Sequence, residues 1–235
     1  MLEKQIIEDL VQRQGCFDQL CSVWCAEYRQ RGGSILCGVG CGGCCSLVVN
    51  CSFPEAVLLA ESLTPRQVEQ LKARIPWIKR AAQGAATLKD WLSAYRSEGG
   101  PCPFLDPTGS CGVYPVRPIS CRSLFSTKSP QWCTTNFAEI PGPEKQAFME
   151  SLDRSAVAFP THYAATPQEI GSELEEVTLR QMESEYGFAI IGCLPWLVWL
   201  ELEHRMSSRL AGGVDGIEEY LEERGLSDPY LLIFT

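Results

Sequence analysis

Apolar side chains recur every three or four positions at the start of the chain, which is the spacing of an amphipathic α-helix. The pattern covers residues 2–30 and predicts one or two helices there. Cys16, Cys21 and Cys25 lie on or near the apolar face, where we expect them to pack as small hydrophobic side chains rather than to bind a metal. The apolar positions of this face are Ile6, Leu10, Phe17, Leu20, Trp24 and Tyr28.

Prolines mark the starts of further helices. Pro54 stands where a helix over 56–63 can begin, because proline is tolerated in the first helical turn. Thr64-Pro65 has the form of an N-cap followed by proline at the first helical position, which predicts a helix through Arg74. The chain is therefore predicted to be mainly α-helical, with later helices at 77–95, 143–158, 166–186, 188–210 and 214–224.

The segment 101–136 interrupts this helical pattern. Its run PCPFLDPTGSCGVYPVRPISCRSLF has five prolines and too few periodic apolar positions for a helix. We expect an ordered loop with one short hairpin, and a loop of this length usually has a function or a metal to hold it. The predicted organisation is an N-terminal helical segment (1–34), a cysteine-cluster domain (35–135) and a C-terminal helical region (136–235), packed as one compact unit.

Cysteines form the strongest chemical signal. The stretch CGVGCGGCC, from position 37 to position 45, has four cysteines in nine positions and glycine at four of the other five. Thiolates are soft ligands that suit zinc, copper(I) and iron–sulfur clusters, and glycine lets a loop wrap closely round a small object. A second group of cysteines follows in 101–136. The two cysteine-rich loops predict a metal centre between them, with the candidate ligands Cys37, Cys41, Cys44, Cys45, Cys102, Cys111, Cys121 and Cys133.

Cys44 and Cys45 are adjacent, which bears on the kind of centre. In an extended backbone, neighbouring side chains point to opposite sides, so both rarely reach one ion. Either one of them binds while the other packs, or the pair serves a polynuclear centre or two separate sites. The adjacent pair and the excess of thiols favour an iron–sulfur cluster, of the four-iron type, over zinc.

Composition and charge limit the partners and the compartment. The chain has 235 residues and a net charge of −9, which argues against general nucleic-acid binding, because phosphate contacts need a basic surface. The start MLEKQIIEDLVQRQ has charges where a signal peptide would need an apolar core, and the longest apolar run, 188–200, is shorter than a membrane span of about 20 residues. We therefore expect a cytoplasmic protein that does not bind membranes, in a compartment where disulfides are rare.

The motif residues closely resemble those of the YkgJ family of cysteine-cluster proteins, described as a zinc- or iron-chelating domain. The resemblance covers about 35–135 and includes the threonine–proline helix start at Thr64-Pro65. Some proteins with this domain are described as flagellin lysine N-methylases that use S-adenosylmethionine, which implies a protein substrate. The matching residues are Cys37, Cys41, Cys44, Cys45, Cys102-Pro103-Phe104-Leu105, Cys111, Tyr114, Arg117-Pro118 and Cys121-Arg122.

Two arginines flank Cys121. Four thiolates around zinc or a four-iron cluster leave about two negative charges, which are costly to bury unless they are paired. Arg117 and Arg122 are candidates to compensate this charge, to brace the loop, or to bind an anionic group of a cofactor such as S-adenosylmethionine. The two histidines, His162 and His204, are predicted to be structural residues rather than ligands.

Cys37, Cys41 and Cys44 also have the spacing that radical S-adenosylmethionine enzymes use for a four-iron cluster. Those enzymes place the cluster on an α/β barrel, and the helical pattern of this chain does not predict such a barrel. A cluster of similar type on a helical scaffold remains an alternative.

Two classes of function follow. The first is a methyltransferase-like enzyme that uses S-adenosylmethionine to modify a protein side chain, with the cluster in or near its site. The second is a non-catalytic zinc- or iron-chelating module with a structural metal, and a disulfide-stapled structural protein is third. The sequence does not identify the substrate or the oligomeric state.

Overall fold

The computed structural model describes residues 2–38, 40–137 and 139–235. This part of the chain is mainly α-helical, which confirms the predicted fold class. Short 3-10 turns occur at Gly43–Ser46, Tyr114–Val116, Met206–Ser208 and Leu210–Gly212. The helices are α1 (Lys4–Gln30), α2 (Phe53–Ser62), α3 (Pro65–Gly84), α4 (Leu88–Glu98), α5 (Ile119–Arg122), α6 (Gln131–Thr134), α7 (Gly142–Glu150), α8 (Ala165–Tyr186), α9 (Leu194–His204) and α10 (Gly213–Glu223), and the strands are β1 (Asn50–Ser52), β2 (Ile190–Cys193) and β3 (Leu232–Phe234).

The start of α3 follows the prediction, but its end does not. Thr64 forms a capping box with Gln67, whose side chain accepts a 2.8 Å hydrogen bond from the Thr64 backbone N–H. The helix then continues through Pro76 to Gly84, although the sequence predicts an end at Arg74 and a new helix at 77. Buried residues on both sides of the proline hold this helix against the core, namely Leu71, Ile75, Ile78 and Ala82. Tertiary packing thus overrides the usual effect of proline inside a helix.

The first helix is continuous, and its buried face differs in part from the predicted face. Cys21 and Cys25 are buried as expected, whereas Cys16 is exposed and Leu20 is 52% exposed. The core prediction is therefore wrong for Cys16 and Leu20. Helix α1 packs against α2, α5 and α8, so only the face that meets these helices is covered.

A small antiparallel sheet replaces part of the helix predicted at 188–210. Strand β2 lies between β1 and β3, with Cys51 opposite Gly192 and Gly192 opposite Leu232. A Cβ atom at Gly192 would lie 2.3 Å from the carbonyl oxygen of Leu231, so this close approach requires glycine. Helix α9 then starts at Leu194 and ends at His204, short of the predicted residue 210. Strands of three or four residues have too little alternation to be distinguished from a helix in the sequence.

The other late helices agree with prediction except one. Helices α8 and α10 match the predictions 166–186 and 214–224 closely. Helix α7 ends at Glu150, so the helix predicted over 143–158 is too long. Phe148 and Leu152 bury against Val157 in a small separate cluster, which turns the chain back instead of extending the helix.

The main hydrophobic core joins segments that are distant in sequence. It combines α2, α3 and α4 with β2, α9 and α10, and includes the buried rings of Trp91 and Trp196. In the described part of the chain, no helix is both long enough and apolar enough to cross a membrane. The domain boundaries at 34 and 135 remain a prediction.

Candidate metal centre

One cavity brings the two cysteine-rich loops together. It has a volume of about 330 Å³ and is lined by all eight cysteines that the sequence nominates as ligands. The other cysteines are not among its lining residues: Cys16 is exposed, and Cys21, Cys25, Cys51 and Cys193 are buried elsewhere. All thirteen thiols are free. Sequence spacing therefore separates the cysteines that share a cavity from those that do not, and their assignment as ligands remains a prediction.

The first loop presents its adjacent cysteines on a tight turn. Residues Gly43–Ser46 form one turn of 3-10 helix, so Cys44 and Cys45 are not in the extended backbone considered from the sequence, and both line the cavity. Gly43 is buried against α6, where an added Cβ would lie 3.0 Å from the Cβ of Cys133. Glycine at this position lets Cys133 approach the first loop.

The second loop is tied to the first by its backbone. The N–H of Cys102 donates a 2.8 Å hydrogen bond to the carbonyl oxygen of Cys45. An isolated antiparallel bridge pairs Leu105 with Cys111, which corresponds to the short hairpin predicted in this loop. The rest of 101–136 is irregular apart from the short helices α5 and α6 and one 3-10 turn, as predicted.

A buried carboxylate positions the helix that carries Cys121. Glu55 is 1% exposed and caps α2 through Ser52, whose N–H donates to Glu55 over 3.0 Å. Its other carboxylate oxygen accepts a 2.7 Å hydrogen bond from the N–H of Ile119, the first residue of α5. One side chain thus satisfies backbone donors at two helix N-termini, and this fixes α5 beside the core.

The electrostatic environment favours protonated thiols in the metal-free protein. Burial raises the pKa of Cys37 to about 11 and that of Cys102 to about 12. Burial also raises the pKa values of Cys111, Cys121 and Cys133, and the nearby Cys44 thiol contributes in each case. The pKa of Cys44 itself is raised by its contact with Cys45 and then by burial. Cys44 therefore lies within electrostatic reach of thiols from both loops.

The chemistry of this donor set fits zinc or an iron–sulfur cluster. Both bind thiolates, and a bound metal takes the place of the thiol protons. Across residues 2–38, 40–137 and 139–235, no three His, Cys, Asp or Glu side chains are already arranged to hold a metal ion.

Both nominated arginines line the cavity, and both bind Asp18 of α1. Arg117 donates to Asp18 over 3.2 Å, and Arg122 forms a second ion pair with the other carboxylate oxygen. The positive charge of Arg117 acts to lower the pKa values of Cys44, Cys111 and Cys121, against the larger effect of burial on Cys111 and Cys121. Arg117 thus supplies positive charge next to the thiols. Asp18 is not part of any sequence motif, so the sequence alone does not indicate that it pairs with the two arginines.

Protein acceptors take up the donors of Arg122. The residue is 3% exposed, its Nε donates to the carbonyl oxygen of Arg117 over 2.7 Å, and its Nη2 donates to Gln14 over 3.1 Å. A further Nη2 bond reaches the carbonyl oxygen of Pro115. These contacts brace the loop that leads to Cys121. The cofactor-binding role considered for Arg117 and Arg122 remains a prediction.

His162 and Tyr163 lie beside Cys133, although the sequence gives no reason to place them there. The Nε2 atom of His162 is 3.4 Å from the Cys133 sulfur, and both residues are buried. Burial lowers the pKa of His162 to about 4, so its imidazole is neutral near pH 7. The buried Tyr163 hydroxyl has no nitrogen or oxygen partner among the described residues, and its pKa is raised by burial and by the Cys133 thiol. His204 instead contacts the Tyr220 hydroxyl over 2.9 Å, away from the cavity.

Eight cysteines round one cavity on a helical scaffold define a cysteine-cluster protein. Residues 36–139 match the model of the CxxCxxCC family, described as a "putative zinc- or iron-chelating domain". This match covers less than half of the chain, and it agrees with the resemblance of the cysteine motifs to YkgJ-type proteins. All eight cavity cysteines lie inside the matched segment, whereas Asp18, His162 and Tyr163 lie outside it.

The remaining comparisons add no relatives. Neither the curated proteins nor the solved structures gave a significant match.

Proposed function

We propose that this protein binds a metal centre through cysteines of both loops, and that the centre is an iron–sulfur cluster in preference to zinc. The observation that carries the proposal is the convergence of eight free thiols on one cavity. The family description, which names zinc or iron chelation, supports the coarser statement that the domain chelates one of these metals.

The number of thiols and the space between them favour a polynuclear centre. Structural zinc needs four ligands in a closed tetrahedron, and eight cysteines exceed that number. The cavity of about 330 Å³ lies at the lower end of the range of about 300–1,000 Å³ for small-molecule pockets. A single ion in a closed site does not need this volume. A cluster, or a metal with a further ligand, makes better use of it.

The charges around the cavity suit an anionic centre. Thiolate-bound zinc or a four-iron cluster leaves about two negative charges, and burying them is costly unless they are paired. Arg117 and Arg122 provide positive charge at the cavity wall, and Asp18 holds both guanidinium groups in place from α1. An iron–sulfur cluster would supply one-electron transfer, whereas zinc would brace the loops.

The alternative is a non-catalytic zinc- or iron-chelating module, in which the metal only orders the two loops. Group transfer from S-adenosylmethionine to a protein side chain is the second candidate activity. It depends on the YkgJ resemblance and on Arg117, whose guanidinium lines the cavity and stacks 3.7 Å from the Tyr114 ring. We place the protein in the cytoplasm, because reducing conditions there keep clustered thiols free. We expect no membrane partner and no nucleic-acid partner, the latter because the net charge of −9 disfavours phosphate contacts.

Anaerobic purification followed by metal and sulfide analysis tests the proposed centre. We expect iron and sulfide in the protein, with broad visible absorption that bleaches on reduction. A colourless protein with bound zinc would favour the chelating module. A folded protein that takes up neither metal would contradict both functions.

Calorimetric titration with S-adenosylmethionine tests the group-transfer activity separately. The metal-loaded wild type is compared with Arg117→Lys, which keeps the charge but loses the planar donor fork. Binding that weakens several-fold in the variant supports a cofactor role for Arg117. No binding to the metal-loaded wild type removes the methyltransferase candidate.

A further inference from the structure

We propose that His162 is a positioning residue of the metal centre, whose Nε2–H donates a hydrogen bond to the Cys133 sulfur when that sulfur is a metal-bound thiolate. This inference rests on the proposed metal-binding function. His162 lies beyond the end of the matched segment 36–139, so the C-terminal region would complete a site whose thiols all come from the family domain.

The two atoms already lie at hydrogen-bonding distance. His162 Nε2 is 3.4 Å from Cys133 Sγ, and the two residues are 4% and 3% exposed. At this burial water cannot replace a missing partner, so an unpaired imidazole N–H here would be costly.

The backbone on both sides of the contact is fixed. The N–H of Thr127 donates a 3.0 Å hydrogen bond to the carbonyl oxygen of His162, and the Thr127 hydroxyl donates to the same oxygen over 2.9 Å. An antiparallel bridge pairs Ser126 with Tyr163. Ser126 in turn donates its N–H to the Cys37 sulfur over 3.0 Å. The segment that holds His162 is thus attached to the segment that contacts a second cavity cysteine.

The position of the imidazole favours a donor over a ligand. Cys133 and Tyr163 line the cavity, whereas His162 is not among the lining residues. The ring therefore contacts Cys133 without itself being part of the cavity lining. It is held there by Phe148, whose ring meets the imidazole edge-on at 5.9 Å between centroids.

The direction of the hydrogen bond follows from the chemistry of the sulfur. A metal-bound cysteine has lost its proton and can only accept, so the N–H must belong to Nε2. A neutral imidazole has one N–H, and placing it on Nε2 leaves Nδ1 as the acceptor. Hydrogen bonds to ligand sulfurs tune the reduction potential of iron–sulfur clusters, and outer contacts of this kind contribute to metal affinity.

Replacement of His162 separates hydrogen bonding from packing. His162→Phe keeps an aromatic ring next to Phe148 but removes the donor, and His162→Gln keeps an N–H near the end of the side chain. His204→Phe is the matched control, because it changes the other histidine, which lies away from the cavity. We expect His162→Phe to lower metal affinity about tenfold, measured by chelator competition. In the iron-loaded protein we also expect His162→Phe to have a lower midpoint potential than the wild type. The midpoint potential of His162→Gln should lie closer to that of the wild type, and that of His204→Phe should be unchanged.

Nitrogen-15 NMR of the zinc-loaded wild type gives a test that needs no variant to fold. We expect a proton on Nε2 that is protected from solvent exchange. A proton on Nδ1 alone would overturn the inference. A folded His162→Phe variant with the metal affinity and midpoint potential of the wild type would also overturn the inference. Metal binding by the wild type would in that case leave the proposed function intact. Complete loss of metal in both His162→Phe and His162→Gln would make His162 a ligand and overturn its donor role. A wild type without metal would contradict the proposed function itself.

Discussion

The backbone N–H of Cys102 donates a 2.8 Å hydrogen bond to the carbonyl oxygen of Cys45, and this bond joins the two cysteine motifs at the cavity wall. Cys45 ends the first motif and Cys102 begins the second, with the helices α2, α3 and α4 between them. The bond brings the backbones of the two loops together, so the cysteines of both motifs face one cavity.

Single cysteine replacements are expected to separate ligands from packing residues. Changing Cys41, Cys44, Cys111 or Cys121 to serine should lower the bound metal per chain, because a neutral hydroxyl is a poor soft ligand. Metal analysis after anaerobic purification measures the effect. Cys16→Ser is the matched control, since Cys16 is exposed and is not among the residues that line the cavity. Loss of metal in Cys16→Ser together with full metal in Cys41→Ser would contradict the assignment of the loops.

Asp18→Asn is expected to destabilise the protein by about 1–3 kcal/mol, because it removes the charged acceptor of two guanidinium groups. The Arg122 side chain is only 2% exposed, whereas that of Asp18 is 42% exposed, so water replaces part of the lost interaction. The free energy of unfolding in urea measures the change. Glu27→Gln removes a partner from the exposed ion pair with Arg31 and should change stability by less than about 0.5 kcal/mol. Equal effects of the two replacements would show that Asp18 does not brace the arginines.

Metal removal is expected to expose 101–136 to protease first. This segment contains six prolines and little regular structure, so it has few interactions of its own to offset the entropy of ordering. A metal that binds the cysteines of this segment would add to its order. Limited proteolysis with and without chelator, followed by mass spectrometry of the fragments, locates the first cuts. Helices α8 and α9 serve as the internal control, and an unchanged cleavage pattern after chelation would contradict a role for the metal in ordering the loop.

Glu175 is expected to make stability fall as pH rises towards 8. Burial and the neighbouring Glu55 carboxylate raise the pKa of Glu175 from 4.5 to about 8. The folded protein therefore keeps a proton that the unfolded chain releases, so the contribution of this group is fully present below pH 4.5 and is lost as the pH rises through about 8. Glu175→Gln cannot ionise and should show a smaller loss of stability between about pH 5 and pH 8.

Urea unfolding across that pH range checks the effect of Glu175. Glu176→Gln is the adjacent control, because Glu176 is exposed and pairs only with Arg180 on the surface among the described contacts. The thiols are the same in all three proteins, so the pH dependence of metal binding cancels in the comparison. Parallel pH profiles for wild type and Glu175→Gln would contradict the raised pKa.

Local sequence rules were sufficient for the main features of the fold and of the cavity. The cap at Thr64-Pro65 predicts the start of α3, because both the hydrogen-bond acceptor and the fixed proline backbone act within one turn. The eight cysteines that line the cavity were likewise identified by close spacing, glycine content and the change of pattern at 101–136. The cap and the composition of each loop depend on residues near one another in the chain, so the sequence alone determined them, whereas the meeting of the two loops at one cavity depends on how the helices between them pack.

Contacts between distant segments were decided only by the tertiary structure. Asp18 reaches Arg117 and Arg122 from α1, and His162 reaches Cys133 from a segment beyond the matched domain. The exposure of Cys16 likewise depends on which helices cover α1. No local spacing encodes such pairs, because an ion pair or a hydrogen bond to sulfur depends on where packing of the apolar core brings two polar side chains. The sequence therefore determined which thiols are available, and only the packed helices determined which arginine, aspartate and histidine side chains lie next to them.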